Sequence, residues 1–149
     1  MSLSFYLWAM GNLNGCAFAY CGKSVGAVES NIVTPLLSIA YLRRNFDVRY
    51  NRGDHVIIAR RGGRENRFYL FGGKDEGAAA RIQGITLGGV LFDEAAILPQ
   101  SFVWQALARA SLEKSKFWFS CNPQSPAHWF YKEWVQPAAR AQKKVLYLH

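Results

Sequence analysis

Short runs of consecutive apolar residues alternate along this chain with stretches whose apolar residues recur every three or four positions. The first pattern suits buried strands and the second suits helices with one wet face. Ser4–Met10 reads as the end of a helix. Ala17–Cys21 reads as a strand, which Gly22-Lys23-Ser24 turns into a long helix from about Val25 to Arg44, with Ile32, Leu36, Ile39 and Tyr41 on its apolar side. Gly53, Gly62 and Gly63 punctuate the next segment, as hairpin turns do, and leave strands over Asp54–Arg60 and Arg67–Phe71. Gly72–Glu76 is expected to be a loop, Gly77–Ile82 a short helix and Gln83-Gly84 a turn. A strand follows at Gly88–Phe92. Pro99 and Ser101 then read as a stop and an N-cap for a helix carrying Phe102, Val103, Ala106, Leu107 and Ala110 at helical spacing. Phe117–Cys121 reads as another strand, Trp129–Trp134 as helical, and Val145–Leu148 as a last strand. Strands alternating with helices predict one α/β domain built on a largely parallel sheet.

The stretch Gly88-Gly89-Val90-Leu91-Phe92-Asp93-Glu94 adds chemistry to this outline. A buried strand has no use for acids in its middle, but carries them at its carboxyl end, where a parallel sheet opens into a ligand crevice. In nucleoside triphosphatases built this way, one acid holds Mg²⁺ and another orients water for attack on the γ-phosphate. The Phe117–Cys121 run ends in Asn122-Pro123. Strand, helix, strand is a crossover unit, which places its two strands parallel. If they are sheet neighbours, Asn122 lies beside Asp93 and Glu94 at one edge. Taken singly, the acids also suit a solvated turn, and Asn122 suits a turn before proline.

Composition narrows the class. At 149 residues, half of them hydrophobic, the chain can bury a core and is not disordered. No apolar run approaches the roughly 20 residues of a membrane span, and the opening Met1–Met10 has no basic signal-peptide start. Cys16 and Cys21 sit at an odd separation on one expected strand, so they face opposite sides; with Cys121 they suit neither a disulfide nor a zinc site. His55, His128 and His149 are scattered and receive no role.

The net charge of +8 is concentrated in residues 43–67, where eight arginines face only Asp47, Asp54 and Glu65. Guanidinium forks match phosphate oxygens and stay charged, so Arg49, Arg52, Arg60, Arg61 and Arg64 are candidates for nucleic-acid or subunit contact. The other reading is a hairpin edge defended by charge against aggregation.

Gly22-Lys23-Ser24 imitates the end of a P-loop, yet G-x-x-x-x-G-K-[ST] would require glycine where Ala17 stands. The strand occupies the space in which backbone amides would encircle a phosphate. This is not a P-loop.

The runs FAYCGKSVGAVESNIVTPL and FGGKDEGAAARIQGITLGGVLFDEAAILPQSFVWQALARASLEKSKFWFSCNPQSPAHWFYKEWV closely resemble the ATPase domain of phage terminase large subunits, over about Phe18 to Val135. The resemblance implies a P-loop NTPase fold of the additional-strand, RecA-like type, incomplete here and carrying a basic β-hairpin region. It implies that Asp93 is the Walker B residue that positions Mg²⁺ through water, that Glu94 is the catalytic carboxylate, and that Ser120-Cys121-Asn122 is the coupling motif. Gln83-Gly84 falls in the turn before the Walker B strand. The implied machine uses ATP to drive double-stranded DNA into a procapsid in the bacterial cytoplasm, with the portal protein and small terminase subunit as partners and homo-oligomerisation possible. Residues 1–149 are then expected to be a single partial ATPase domain without Walker A or nuclease portions, and inactive alone for lack of a P-loop cradle. Two other classes stay open. One is a non-catalytic nucleic-acid-binding module. The other is a metal-dependent nuclease or hydrolase, which needs several converging acids, with Asp75 and Glu76 the remaining acidic pair.

Overall fold

The computed structural model describes residues 1–74, 80, 82–122, 125–138 and 141. Six strands form one sheet in the order β2-β3-β4-β1-β5-β6. They are β1 (Ala17–Gly22), β2 (Asp47–Asn51), β3 (Val56–Arg61), β4 (Arg64–Gly72), β5 (Leu87–Phe92) and β6 (Lys116–Phe119). Strands β4, β1, β5 and β6 run parallel, while β3 lies antiparallel to both β2 and β4. The mostly parallel α/β sheet expected from the sequence is present, with the arginine-rich hairpin at one side.

Alternation along β1 explains the two cores. Phe18 and Tyr20 face one side, where they pack with Phe68 and with Phe5 and Tyr6 of helix α1 (Ser2–Asn12). Ala19 and Cys21 face the other, with Phe71, Val90, Phe92 and helix α5 (Gln100–Arg109). Phe68 stacks on Tyr6, Phe18 and Tyr20 at ring separations of 5.1, 5.0 and 5.7 Å, so one residue ties three elements together. Cys16 and Cys21 do pack into different cores and are free thiols, although Cys16 precedes β1 and is not on it. All five apolar residues expected on the buried side of α5 are buried, with Ala110 at its C-cap. Its N-cap is Pro99, and Ser101 lies within the helix instead of capping it.

The expected long helix is broken. It divides into α2 (Val25–Val28), a π segment (Glu29–Val33), α3 (Thr34–Ser38) and α4 (Ala40–Asn45), with Ile39 extended between the last two. Pro35 supplies a cause: it has no N–H for the carbonyl of residue 31, and its ring crowds that carbonyl. The backbone widens, and Thr34 donates to Glu29 instead. Each irregularity resets the helical phase, so Ile32 and Leu36 stay buried, whereas Leu42 is buried in place of Tyr41, which is exposed.

Two close approaches fix how this region crosses the sheet. Gly22 and Gly72 are paired at the ends of β1 and β4. A Cβ on Gly72 would lie 2.8 Å from Ser24 Cα and Val25 N, and one on Gly22 would lie 2.7 Å from Val28 Cγ2. Gly72 therefore belongs to the strand, not the loop expected there. At the hairpin, Gly62 and Gly63 both have positive φ (55° and 78°), as a two-residue turn requires. In the β2–β3 turn the positive φ falls on His55, not Gly53. Helical backbone over Trp129–Phe130 continues into a second π segment, Tyr131–Val135. Most of the expected Gly77–Ile82 helix and all of the Val145–Leu148 strand fall outside the described residues.

Candidate active site

Strands β5 and β6 are parallel neighbours in the register Phe92↔Phe119, which sets Asp93-Glu94 beside Ser120 at one carboxyl edge, where Cys121 and Asn122 follow in the chain. The ladder continues past the strand ends. Ser120 N donates to Phe92 O at 2.8 Å, and Ala95 N donates to Ser120 O at 2.7 Å. On the other side, Asp93 N donates to Cys21 O at 2.8 Å. The acid doublet is thus held at its backbone by both β1 and the end of β6.

The two acids differ in setting. Asp93 is half-buried, and its Oδ2 accepts from Asn31 Nδ2 at 3.0 Å. Glu94 is exposed and adopts the left-handed conformation, φ 50° and ψ 48°, at the start of a short 3₁₀ turn (Ala95–Ile97). A non-glycine residue there costs about 1–2 kcal/mol. Such outliers persist where the surroundings over-determine them, here the bonds at Asp93 N and Ala95 N. Cys121 is half-buried, with its thiol pKa pushed up by burial, and Asn122 is exposed. Sequence reasoning misses Asn31; the one signal for it is Pro35, which forces the wide turn that carries it.

Gly22-Lys23-Ser24 behaves as a strand-to-helix turn. Ser24 Oγ accepts from Ala27 N at 3.2 Å, an N-cap bond for α2, and Lys23 is exposed. Among the described residues no three His, Cys, Asp or Glu side chains group to hold a metal, and no helix is long and apolar enough to cross a membrane. Asp75 and Glu76 lie outside those residues.

The arginine-rich segment does not form one patch. Arg52, in the β2–β3 turn, pairs with Glu29 at 2.9 Å. Arg49 pairs with Asp47 at 3.5 Å. Arg60, Arg61 and Arg64 sit at the hairpin turn, the opposite end of β4 from Gly72 and roughly 26 Å away along the strand. They border an open cleft of ≈ 710 Å³ with Arg44, Asp47 and Glu65. This cleft is on the other rim from the acid doublet. Most of its arginines already have partners. Arg60 pairs with Glu65 at 2.7 Å, Arg61 lies over the Phe46 ring at 4.9 Å, and Arg64 donates to the carbonyls of Met10 and Gly11 at 3.2 and 2.8 Å, at the end of α1.

Residues 36–145 match the family model described as terminase large subunit, T4likevirus-type, N-terminal. A search of curated proteins finds no significant match. The large terminase of a thermophilic bacteriophage is 44% identical with a TM-score of 0.94, over 100% of this chain and 36% of that one. The same protein in complex with ATP-gamma-S is 43% identical with a TM-score of 0.87, over 100% of this chain and 35% of that one. The Thermus phage P74-26 large terminase ATPase domain, at 16% identity, has a TM-score of 0.67 over 88% of this chain and 56% of that one, a likeness of fold alone. The fold is thus that of RecA-like terminase ATPase domains. The chain spans about a third of the length of the thermophilic phage's protein.

Proposed function

Since the chain belongs to the terminase large subunit family, we propose that its carboxyl edge is the ATP-hydrolysing edge of a motor that moves double-stranded DNA into a procapsid. The observation that supports this most is the Phe92↔Phe119 register, which brings an acid doublet and a polar strand end to one edge of the sheet. The large terminase of the thermophilic bacteriophage has been solved in complexes with ADP and with ATP-gamma-S, and we assign ATP to the carboxyl edge here.

Asp93 suits Mg²⁺, an ion that keeps much of its water and takes one or two carboxylates plus phosphate oxygens. Its half-buried carboxylate supplies hard oxygen donors. When bound, Mg²⁺ neutralises charge on the phosphate oxygens. Glu94, exposed beside it, accepts a proton from the attacking water and so polarises it. Asn122 offers an amide to the γ-phosphate region, and Ser120-Cys121-Asn122 passes the change into β6.

The longer protein then works in the host cytoplasm as a homo-oligomer, with the portal protein and the small terminase subunit as partners. Arg49, Arg52, Arg60, Arg61 and Arg64 are assigned to DNA or subunit contact, with the cleft at the far rim the better placed for a long polyanion.

The test is Glu94→Gln in the full-length protein. ATP turnover is expected to fall by about 10²–10⁴-fold with nucleotide binding retained; undiminished turnover rules the assignment out. Reversing charge at Arg60 and Arg61 is expected to weaken DNA binding at low salt.

A further inference from the structure

We infer that Asn31 is a positioning residue for Asp93, and that the π segment Glu29–Val33 exists to deliver it. The inference rests on the assignment of Asp93 as the Mg²⁺-side carboxylate made above. Three observations carry it. Asn31 Nδ2 donates to Asp93 Oδ2 at 3.0 Å, across 62 residues of sequence, although its own helix is not part of the acid doublet's strand pair. The segment that bears it is π-helical, a wide turn that ends just before Pro35 and is closed by Thr34 N on Glu29 O. Such turns cluster at functional sites because they re-aim side chains that a regular helix would point elsewhere. The segment is also tethered at a second point, since Glu29 accepts from Arg52 Nε at 2.9 Å.

The chemistry of the contact is specific. An asparagine amide donates from Nδ2 and engages one carboxylate oxygen, which leaves Oδ1 of Asp93 for other partners. Being neutral, it fixes the carboxylate's rotation without offsetting the negative charge a cation needs, as lysine or arginine would. Gly22 lets α2, which leads into the π segment, pack close to the sheet: a Cβ there would lie 2.7 Å from Val28 Cγ2.

The experiment measures Mn²⁺ binding in the presence of ATP-gamma-S by electron paramagnetic resonance, on the full-length protein. It compares wild type with Asn31→Ala, Asn31→Gln, Asp93→Asn and the Asp93→Asn/Asn31→Ala pair. Asn31 is exposed, so its variants are expected to melt like wild type. Asn31→Ala is expected to weaken Mn²⁺ binding roughly tenfold, the scale of an outer-shell partner's loss. Asn31→Gln should recover part of it, and in the Asp93→Asn background Asn31→Ala should add nothing. The Mg²⁺ dependence of hydrolysis should move by the same factor. If Asp93→Asn weakens binding but Asn31→Ala does not, or if the two losses add, the positioning role is overturned and the Asp93 assignment stands. If Asp93→Asn binds Mn²⁺ as wild type does, the assignment itself is overturned, and the inference with it.

Discussion

The amide of Ala95 donates to the carbonyl of Ser120 at 2.7 Å, so β5 and β6 remain bonded beyond the last residue of either strand. Between that bond and the one from Asp93 N to Cys21 O stands Glu94, the residue with left-handed backbone. Ala95→Pro removes the donor and drives the preceding residue toward extended backbone. The expected outcome in the full-length protein is loss of ATP turnover with nucleotide binding retained. Urea denaturation should show a loss of about 2–3 kcal/mol, since a buried bond and a backbone conformation fail together. Wild-type turnover in this variant would separate the bond from the chemistry.

Glycine at position 94 relieves the torsional cost that glutamate carries there. Glu94→Gly is expected to stabilise the fold by about 1 kcal/mol in chemical denaturation while turnover is lost, whereas Glu94→Gln should lose turnover with stability unchanged. A Glu94→Gly variant less stable than Glu94→Gln would mean that the backbone at this position is not strained.

Gly72 and Gly22 should respond differently to an added methyl. At Gly72 the obstacle is backbone, Ser24 Cα and Val25 N at 2.8 Å, which cannot step aside. Gly72→Ala is expected to cost about 1–3 kcal/mol. At Gly22 the nearest obstacle is a side-chain end, Val28 Cγ2 at 2.7 Å. Gly22→Ala should therefore be partly rescued by Val28→Ala, whereas no truncation should rescue Gly72→Ala. The readout is the urea midpoint of each single and double variant.

The hairpin ion pairs give a pH dependence of known sign. The hydrogen bond from Arg60 holds the Glu65 pKa below its ordinary value, with Arg67 adding to it. A carboxylate depressed in the folded state stabilises the fold above its unfolded pKa, about 4.3. That contribution is lost as pH falls through the lower folded value. Unfolding midpoints compared between pH 6 and pH 3 should converge for wild type and Glu65→Gln at the acid end. The effect should be small and weakened by salt, because the group is solvent-screened.

The features legible in the sequence were those carried by strong local patterning. A run of apolar residues ending in Asp93-Glu94, a helix with its apolar stripe, and a second run ending before Asn122 sufficed to predict that the two strands run parallel, because a crossover leaves little topological choice. Strand β2 escaped notice because only Val48 and Tyr50 are half-buried in a stretch otherwise exposed and charged. Asn66 escaped because a polar residue within an arginine-rich hairpin reads as surface. It is fully buried, and it bonds Cys16 N, Ala9 O and Leu13 O, stitching the α1–β1 connection to β4. The contact of Asn31 with Asp93 joins residues 62 positions apart, and no local spacing encodes it. The left-handed backbone of Glu94 is imposed from both flanks by other strands, so the tripeptide around it carries no sign of it.

Strand β4 pairs with β3 over Arg64–Tyr69 and with β1 over Arg67–Gly72, and its nine residues reach from the arginine cleft to the rim of the acid doublet. Its middle residues, Arg67–Tyr69, are shared by both ladders. The two rims of the sheet are thus joined through three residues that neither neighbour holds alone.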